Sequence, residues 1–496
     1  MDTLVVAAFT LPVIAYGFGG RFYWANRIGF LHDTWYHLLA SEKIRENGHR
    51  LPAQIDHFIF DGPYDYPPGL HWFLSFFSDD VVTRYNWLFA PCVEVVHGVG
   101  ILLVTAYLLT GEVTVALVAV AIYAISPEPV RHFTSLTPRV VGSLLFSLTF
   151  LSTLLAVMGR PIFFIPALLL GGVLLLTHKM STQTLAFTLV AFTALEGDPA
   201  YLGLLVAIVA FALVLSRGHY IAVLRSHLAI INFWRIQRSK GNPPSAFMRD
   251  YGRRNDESPS TFLARLKSLV IDVDPVMFGI TNGWLLFLPV PLFVFGGFDV
   301  LGPFERQLAI WALVIMGIAI LTQYVPGFKL VGEGHKYYMW GAFPCVIVLG
   351  RVLVTVRQPA LIAMVLALGA VSLGFIHFMM QSRAKREHSP SITDAQGILE
   401  YLSGPDVDRI MSVPPNDSYT LAYKTRKKVL WHDSTTAYMD GEPFYPTPRK
   451  PLEELAEEFD INAIVVDSSQ VTVDQSNFQT YVRKQSEEGI LLFVPS

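Results

Sequence analysis

Long apolar runs separated by short polar turns fill the chain from its first residues to about residue 380. A membrane-crossing helix needs roughly 17–25 mostly apolar residues. Eleven segments approach that pattern: residues 3–19, 86–109, 112–126, 139–157, 161–177, 180–195, 201–215, 278–297, 306–324, 338–356 and 359–380. The runs at 112–126, 161–177, 180–195 and 201–215 are short, which suits broken or re-entrant helices. The first, Leu4 to Gly19, has neither a basic flank before it nor a small-residue cleavage site before Arg21, so it reads as a retained span. Three longer polar segments stand outside the runs, at 20–85, 216–277 and 381–496. With eleven spans, all three fall on one side of the membrane.

After residue 380 the period changes. Strand-type runs occur at Arg409–Val413, Lys428–Trp431, Ala463–Asp467 and Ile490–Val494, with helical spacing over Leu452–Phe459 and Phe478–Glu487. The tail therefore predicts a small Rossmann-like α/β layer. It has no glycine-rich phosphate loop and no metal-spaced Cys/His set, so its expected role is accessory.

Composition sharpens the division. Hydrophobic residues make up 52% of the 496 and charged residues 16%. The first 380 residues hold 25 Lys/Arg and 22 Asp/Glu, and the last 116 hold 12 and 18. Only the tail has the charge density of a soluble surface. The fold class expected is thus a polytopic α-helical membrane protein of about eleven spans, residues 1–380, with a C-terminal soluble α/β domain, residues 381–496. A net charge of −3 gives no basic footprint for nucleic acid. The only cysteines, Cys92 and Cys345, lie in apolar runs, which excludes a disulfide scaffold. The 216–277 segment carries ten Lys/Arg against five acids, and Arg383-Ala-Lys385-Arg386 follows the last run. Both lean toward the cytoplasm, although the charge rule weakens for loops longer than about 60 residues.

The first polar segment is the richest in chemistry. It reads Leu31-His32-Asp33-Thr34-Trp35-Tyr36-His37-Leu38-Leu39-Ala40 and continues to Asn47-Gly48. Asp33 stands at a helix N-cap position, Gly48 at the stop, and His37 shares the face of Asp33 one turn on. As a plain structural element this is a capped helix on the membrane surface, with Trp35 and Tyr36 at the interface. Tyr64-Asp65-Tyr66-Pro67-Pro68-Gly69-Leu70-His71-Trp72 follows, and its paired prolines hold the backbone extended before a helix resumes near Leu70. Taken singly, this is a rigid turn with aromatic anchors.

Together these strings resemble the GT-C superfamily of integral-membrane glycosyltransferases, which use polyprenyl-phosphate-linked sugars. The resemblance rests on an acidic residue just past the first span in Asp-x-x-Tyr-x-x-x-Ala, and on a Tyr-Pro-Pro-Gly-Leu turn before the second. Ser126-Pro127, Thr137-Pro138-Arg139, Leu176-Thr177-His178-Lys179 and Glu333-Gly334-His335-Lys336-Tyr337-Tyr338 agree more loosely, with Lys336 where the family has arginine. The likeness is to protein-mannosyltransferase and aminoarabinose-transferase types, and more distantly to oligosaccharyltransferases. The Trp-Trp-Asp-x-Gly string of the last group does not occur in this tail. The resemblance implies inverting transfer at the outer membrane face, with the first loop and tail outside, as in a prokaryotic plasma membrane. Asp33 would be the general base. His37, Tyr36, Asp65, Tyr66, Arg139, His178, Lys179, Glu333, His335, Lys336 and Tyr337 would bind substrate. The family often has a second acid after the first. Here Thr34 follows Asp33, so His32, His37 or Asp65 would substitute.

The leaving phosphate needs cations, and Arg139, Lys179 and Lys336 each stand at a span end, where such residues otherwise snorkel to headgroups. Arg253-Arg254 could cover the lipid phosphate if its loop is outside. The implied partners are a polyprenyl- or dolichyl-phosphate sugar donor, a glycan, lipid or protein acceptor, and membrane lipids. No cofactor is called for, although Asp33, Glu128 and His132 are residue types able to ligate a divalent metal. Glu94 is an intramembrane acid, with His97 one residue short of ideal partner spacing. The competing readings are a secondary transporter or lipid-linked-glycan flippase, which would favour internal inverted repeats that the sequence does not display, and a scaffold in which Asp33 tolerates replacement.

Overall fold

The computed structural model describes residues 3–30, 32–60, 62–132, 135–239, 274–325, 327–332, 334–387, 392–431, 450–468, 471, 473 and 478–496. In chain order the helices to residue 387 are α1 (Thr3–Ile28), α2 (His32–Glu46), α3 (Gly69–Leu74), α4 (Asp79–Val95), α5 (Leu102–Thr110), α6 (Val113–Ala124), α7 (Pro127–His132), α8 (Pro138–Val157), α9 (Phe164–Leu175), α10 (Lys179–Glu196), α11 (Ala200–Leu215), α12 (Tyr220–Ser239), α13 (Asp274–Thr281), α14 (Gly283–Phe287), α15 (Pro303–Tyr324), α16 (Tyr338–Val356) and α17 (Pro359–Glu387). The tail follows as α18 (Gln396–Ser403), β1 (Arg409–Val413), α19 (Ser418–Thr425), β2 (Lys428–Val429), α20 (Leu452–Glu458), β3 (Ala463–Asp467), β4 (Tyr481–Glu487) and β5 (Ile490–Pro495).

Every one of the eleven apolar segments is helical. Six helical stretches are long and apolar enough to cross a bilayer alone: α1, Asp79–Thr110, α8, α15, Gly334–Val356 and Pro359–Ala384. The chain is an integral membrane protein. Of the other five expected spans, α6, α9, α11 and the α13–α14 pair fall on short or broken helices, and α10 is an unbroken helix of 18 residues outside those six.

The described residues form two compact units. The first takes in those within Met1–Gly29, Arg84–Arg217 and Pro259–Ala384. Its helices are joined by buried polar groups, each of which must find a partner where water does not reach. Arg21 is the largest case. The first helix was expected to end at Gly19 but runs on to Ile28, because the Arg21 guanidinium is satisfied inside the bundle. Its Nη1 donates to the carbonyls of Gly17 and Ala124, at 2.8 and 2.9 Å. Its Nε lies 3.6 Å from Glu94, and both side chains are wholly buried. Tyr123 donates its hydroxyl to the same carboxylate at 3.1 Å. A π-helical turn, Val96–Ile101, follows α4 and changes the local register. His97, three residues after Glu94, lies 3.8 Å from its carboxylate, and its Nε2 meets Ser147 at 3.0 Å. Gly98 sits in that turn, where a Cβ would lie 2.6 Å from Phe18 and 2.8 Å from Tyr123.

The second unit takes in the described residues within Phe30–Thr83, Gly218–Ser258 and Lys385–Ser496. Its five-stranded sheet has the order β2-β1-β3-β5-β4. β2, β1 and β3 run parallel, whereas β5 and β4 are antiparallel. Residues 478–487 were expected to be helical, but Tyr481–Glu487 forms β4, paired with β5. Glu488 and Gly489 both have positive φ, 50° and 79°, the geometry of a two-residue I′ hairpin loop. The first loop joins this sheet beyond β2. Val429 N–H donates to His57 O, and Ile59 N–H donates to Val429 O, both at 2.9 Å. Ile59 and Phe60 pack on a core that includes Met411, Ile464, Val466 and Phe493.

Removing one member of a buried ion pair costs about 3–5 kcal/mol, whereas removing both costs far less. Arg21→Met is expected to lower stability by that amount in detergent unfolding, and Arg21→Met with Glu94→Met to recover most of it. A double variant as unstable as the single one would contradict this account of the pair.

Candidate functional site

In the second unit the site is built from α2 and the proline turn. α2 begins at His32, so Asp33 lies inside its first turn and not at the N-cap. Asp33 is exposed, while Thr34 to Ala40 are all buried. This corrects the expectation of a helix lying on the membrane surface with Trp35 and Tyr36 at the interface. Those rings face the tail instead. Trp35 lies 5.2 Å from Tyr423, and Tyr36 lies 5.2 Å from Tyr419, both on α19. Arg426, just past α19, pairs with Glu42.

Pro67 and Pro68 return the chain toward α2, with Pro68 at the N-cap of α3. His71 is thereby set beneath His37, with its Nε2 2.8 Å from His37 Nδ1. The other nitrogen of His71, Nδ1, lies 2.6 Å from the Tyr64 hydroxyl. Tyr66 closes the side, its ring 5.7 Å from His37 and 5.1 Å from His71. His219, preceding α12, stacks on Tyr64 at 5.6 Å, and its Nε2 lies 3.4 Å from the Tyr66 carbonyl. Asp65 is buried beside them. Burial, and then the nearby His37, holds His71 well below the usual histidine range. Burial also pushes the Tyr64 phenol well up, with Tyr66 and Asp65 adding to the effect. Burial lowers His219 too, against opposing contributions from the Tyr66 carbonyl and Asp65.

The structure thus brings Tyr36, His37, Asp65 and Tyr66 together and adds His71, Tyr64 and His219 to them. His71 and His219 were not selected from the sequence as site residues. Histidines bracketing a Tyr-Pro-Pro turn were the available signal.

In the first unit, the N-termini of α8, α10 and α16 converge. Thr137 caps α8, accepting from Arg139 N–H, and His178 caps α10, accepting from Ser181 N–H. Ser143 of α8 donates to Met339 O at 3.1 Å, and Trp340 Nε1 donates to Ser181 of α10 at 3.0 Å. His178 lies parallel to Trp340 at 6.2 Å. His335 and Lys336 occupy the single turn Gly334–Tyr337 before α16, where Asn282 donates to the His335 carbonyl. Tyr337 is buried and donates to Val331 O. Arg139, Lys179 and Lys336, each half-buried, therefore stand on three converging helix starts, whose dipoles favour an anion. Glu333, Arg253 and Arg254 lie outside the described residues, as does the His132 side chain.

Among the described residues, no group of three or more His, Cys, Asp or Glu could hold a metal ion. Glu128 is buried with Arg131 3.9 Å away.

No protein-family model matches the sequence, and no curated protein matches it. Solved structures do match its fold. The oligosaccharyltransferase AglB of Archaeoglobus fulgidus, in complex with an inhibitory peptide and a dolichol-phosphate, is similar over 93% of this chain and 69% of its own. The TM-score is 0.51 at 11% identity. The same oligosaccharyltransferase in complex with Zn and sulfate gives 0.52 at 13% identity, over 94% and 68%. ArnT from Cupriavidus metallidurans, bound to undecaprenyl phosphate, aligns over 99% and 97% at 14% identity, with a TM-score of 0.43. The AglB likeness shows that the two chains share a fold.

His71 also predicts a pH dependence. Below its ordinary value of 6.5 the unfolded chain takes up a proton that the folded chain refuses. The unfolded state then binds more protons, so stability falls as pH drops. Thermal unfolding should shift to lower temperature between pH 7.5 and 5.5, by up to about 1.4 kcal/mol per pH unit for this one group. His71→Gln should flatten the profile, and an unchanged slope in that variant would contradict the assignment.

Proposed function

We propose that this chain is a membrane glycosyltransferase that moves a sugar from a polyprenyl- or dolichyl-phosphate donor to a lipid, glycan or protein acceptor, with inversion. The observation that carries this reading is the exposed carboxylate of Asp33 on a helix whose next seven residues are buried. A rigid helix presenting one acid to solvent suits a positioned base.

In the step proposed, the acceptor hydroxyl oxygen bonds to the anomeric carbon as its proton passes to Asp33. The bond from that carbon to the phosphate oxygen breaks, and the phosphate leaves with the electron pair. Tyr36, His37, Asp65 and Tyr66 shape the sugar side. Arg139, His178, Lys179, His335, Lys336 and Tyr337 serve the phosphate, supported by the three helix starts in the first unit and by the charge-assisted bonds such cations form. Glu333 is retained from the sequence as a further candidate. The dolichol-phosphate in the AglB complex and its shared fold support a lipid-linked donor.

The hydrogen bonds from residues 57–60 to β2, with His219 stacked on Tyr64, support one side for the first loop, the start of α12 and the tail. An even number of crossings must then separate α12 from the tail. That parity supports a crossing near α13–α14 beside the three by α15, α16 and α17, as the eleven-span reading has it. We assign the common side to the exterior of a prokaryotic plasma membrane.

The test is release of labelled sugar from polyprenyl-phosphate donors by purified wild type and Asp33→Asn. The variant should bind donor and lose about 10²–10⁴-fold in turnover. Equal turnover would remove Asp33 from the mechanism. No turnover or binding by wild type with any donor would favour a transporter or flippase.

A further inference from the structure

Helix α3 and the turn after it carry apolar side chains on two faces. Leu70, His71 and Leu74 are buried, while Trp72, Phe73, Phe76 and Phe77 alternate with them and are 40% to 54% exposed. The exposed rings form one surface. Trp72 meets Phe76 with ring centres 4.8 Å apart, and Phe73 meets Phe77 at 5.3 Å, each pair one turn apart. Single exposed apolar side chains are ordinary, but a contiguous aromatic patch marks an interaction site. A helix that is apolar all round is one buried on all sides.

The outward rings are held in place by the polar groups behind them. Ser75 Oγ donates to the Trp72 carbonyl at 2.7 Å, and His49 Nδ1 lies 2.9 Å from the same Oγ. The His49 ring stacks on Phe76 at 4.5 Å. Arg45, near the end of α2, donates to the Phe77 carbonyl and, at 2.7 Å, to Asp79. The chain itself indicates the occupant. Only Ser78 separates Phe77 from Asp79, where the stretch Asp79–Thr110, long and apolar enough to cross a bilayer, begins. Two residues reach at most about 7 Å, so the patch stands at the mouth of a crossing. Exposed apolar side chains carry on along α4 at Val81 and Tyr85. Tryptophan and phenylalanine are the residues that interfacial segments place at the headgroup and acyl boundary. Beside Phe76 and Phe77 a recess of about 500 Å³ presents Arg45, His49, Asp79 and Asp80, a rim of both charge signs that suits headgroups and not acyl chains.

We propose that Trp72, Phe76 and Phe77 seat the first loop in the bilayer interface, with their rings at the start of the acyl region and the recess at headgroup level. The anchoring role expected of Trp35 and Tyr36 falls to these three. His71 lies on the opposite face of α3, 2.6 Å from the Tyr64 hydroxyl, so the seat also sets the depth at which that cluster stands. The inference is independent of the transferase reading, since it concerns only where the loop meets lipid.

The experiment places a nitroxide on full-length protein in nanodiscs of phosphatidylethanolamine and phosphatidylglycerol. The label is attached through Trp72→Cys or Phe76→Cys, each with Cys92→Ala, because Cys92 is exposed whereas Cys345 is buried. Thermal unfolding confirms that each labelled protein is folded. Trp72→Cys leaves the His49–Phe76 stack in place and decides alone should Phe76→Cys fail to fold. Oxygen, which concentrates among acyl chains, should relax the label more than a water-soluble nickel chelate does. Relaxation dominated by the nickel chelate would place the patch in water and overturn the proposal. A label shielded from both agents would overturn it as well, since the rings would then be covered by protein, whether another segment of this chain or a second copy.

Discussion

Burial of α2 against α19 is the interaction on which the rest of the candidate site depends. Trp35 meets Tyr423, Tyr36 meets Tyr419, and Glu42 pairs with Arg426. Aromatic pairs of this kind contribute about 0.5–1.5 kcal/mol each beyond their buried area. They fix the rotation of α2, so Asp33 is left at the surface while His37 turns inward to His71. The edge pairing of His57–Phe60 with β2 ties the same loop to the tail a second time. The tail is thus part of the scaffold for α2, a larger role than the accessory one its composition suggested.

The membrane-embedded unit follows a different constraint. Helices there gain little from excluding lipid, so polar side chains and close packing decide which surfaces meet. Arg21 and Glu94 neutralise one another, and His97, in the π turn after α4, joins the same cluster. At the converging helix starts, Ser143 and Ser181 reach the beginning of α16, and the capping residues Thr137 and His178 satisfy exposed N–H groups. Arg139, Lys179 and Lys336, each half-buried, stand at or just before those starts, and they are the contacts proposed for the donor phosphate.

Much of this was legible in the chain, for physical reasons. The apolar runs gave helices because only internally hydrogen-bonded backbone suits a bilayer. β1 and β3 were legible to the residue, since β-branched and apolar residues dominate both short runs between turns. β4 was misread because Tyr481 and the polar residues after it mimic helical spacing, and the Glu488-Gly489 loop was overlooked. The cluster around His71 was hidden for another reason. His37 and His71 are 34 residues apart, Tyr66 and His219 are 153 apart, and only the folded backbone closes those distances. Asp33 was expected at the N-cap but stands two positions further on, as the second residue of its helix. Its exposure depends on α19, nearly four hundred residues away in sequence.

The central claim is that the helix carrying Asp33 folds as part of the tail. Hydrogen exchange on the full-length protein under rising denaturant tests it directly. The account predicts that amides of Tyr36–Ile44 open with the same free energy as those of β1 and β3, as one cooperative body. Rapid exchange along α2 while β1 and β3 stay protected would contradict it, and would return α2 to the status of an independent helix at the membrane surface.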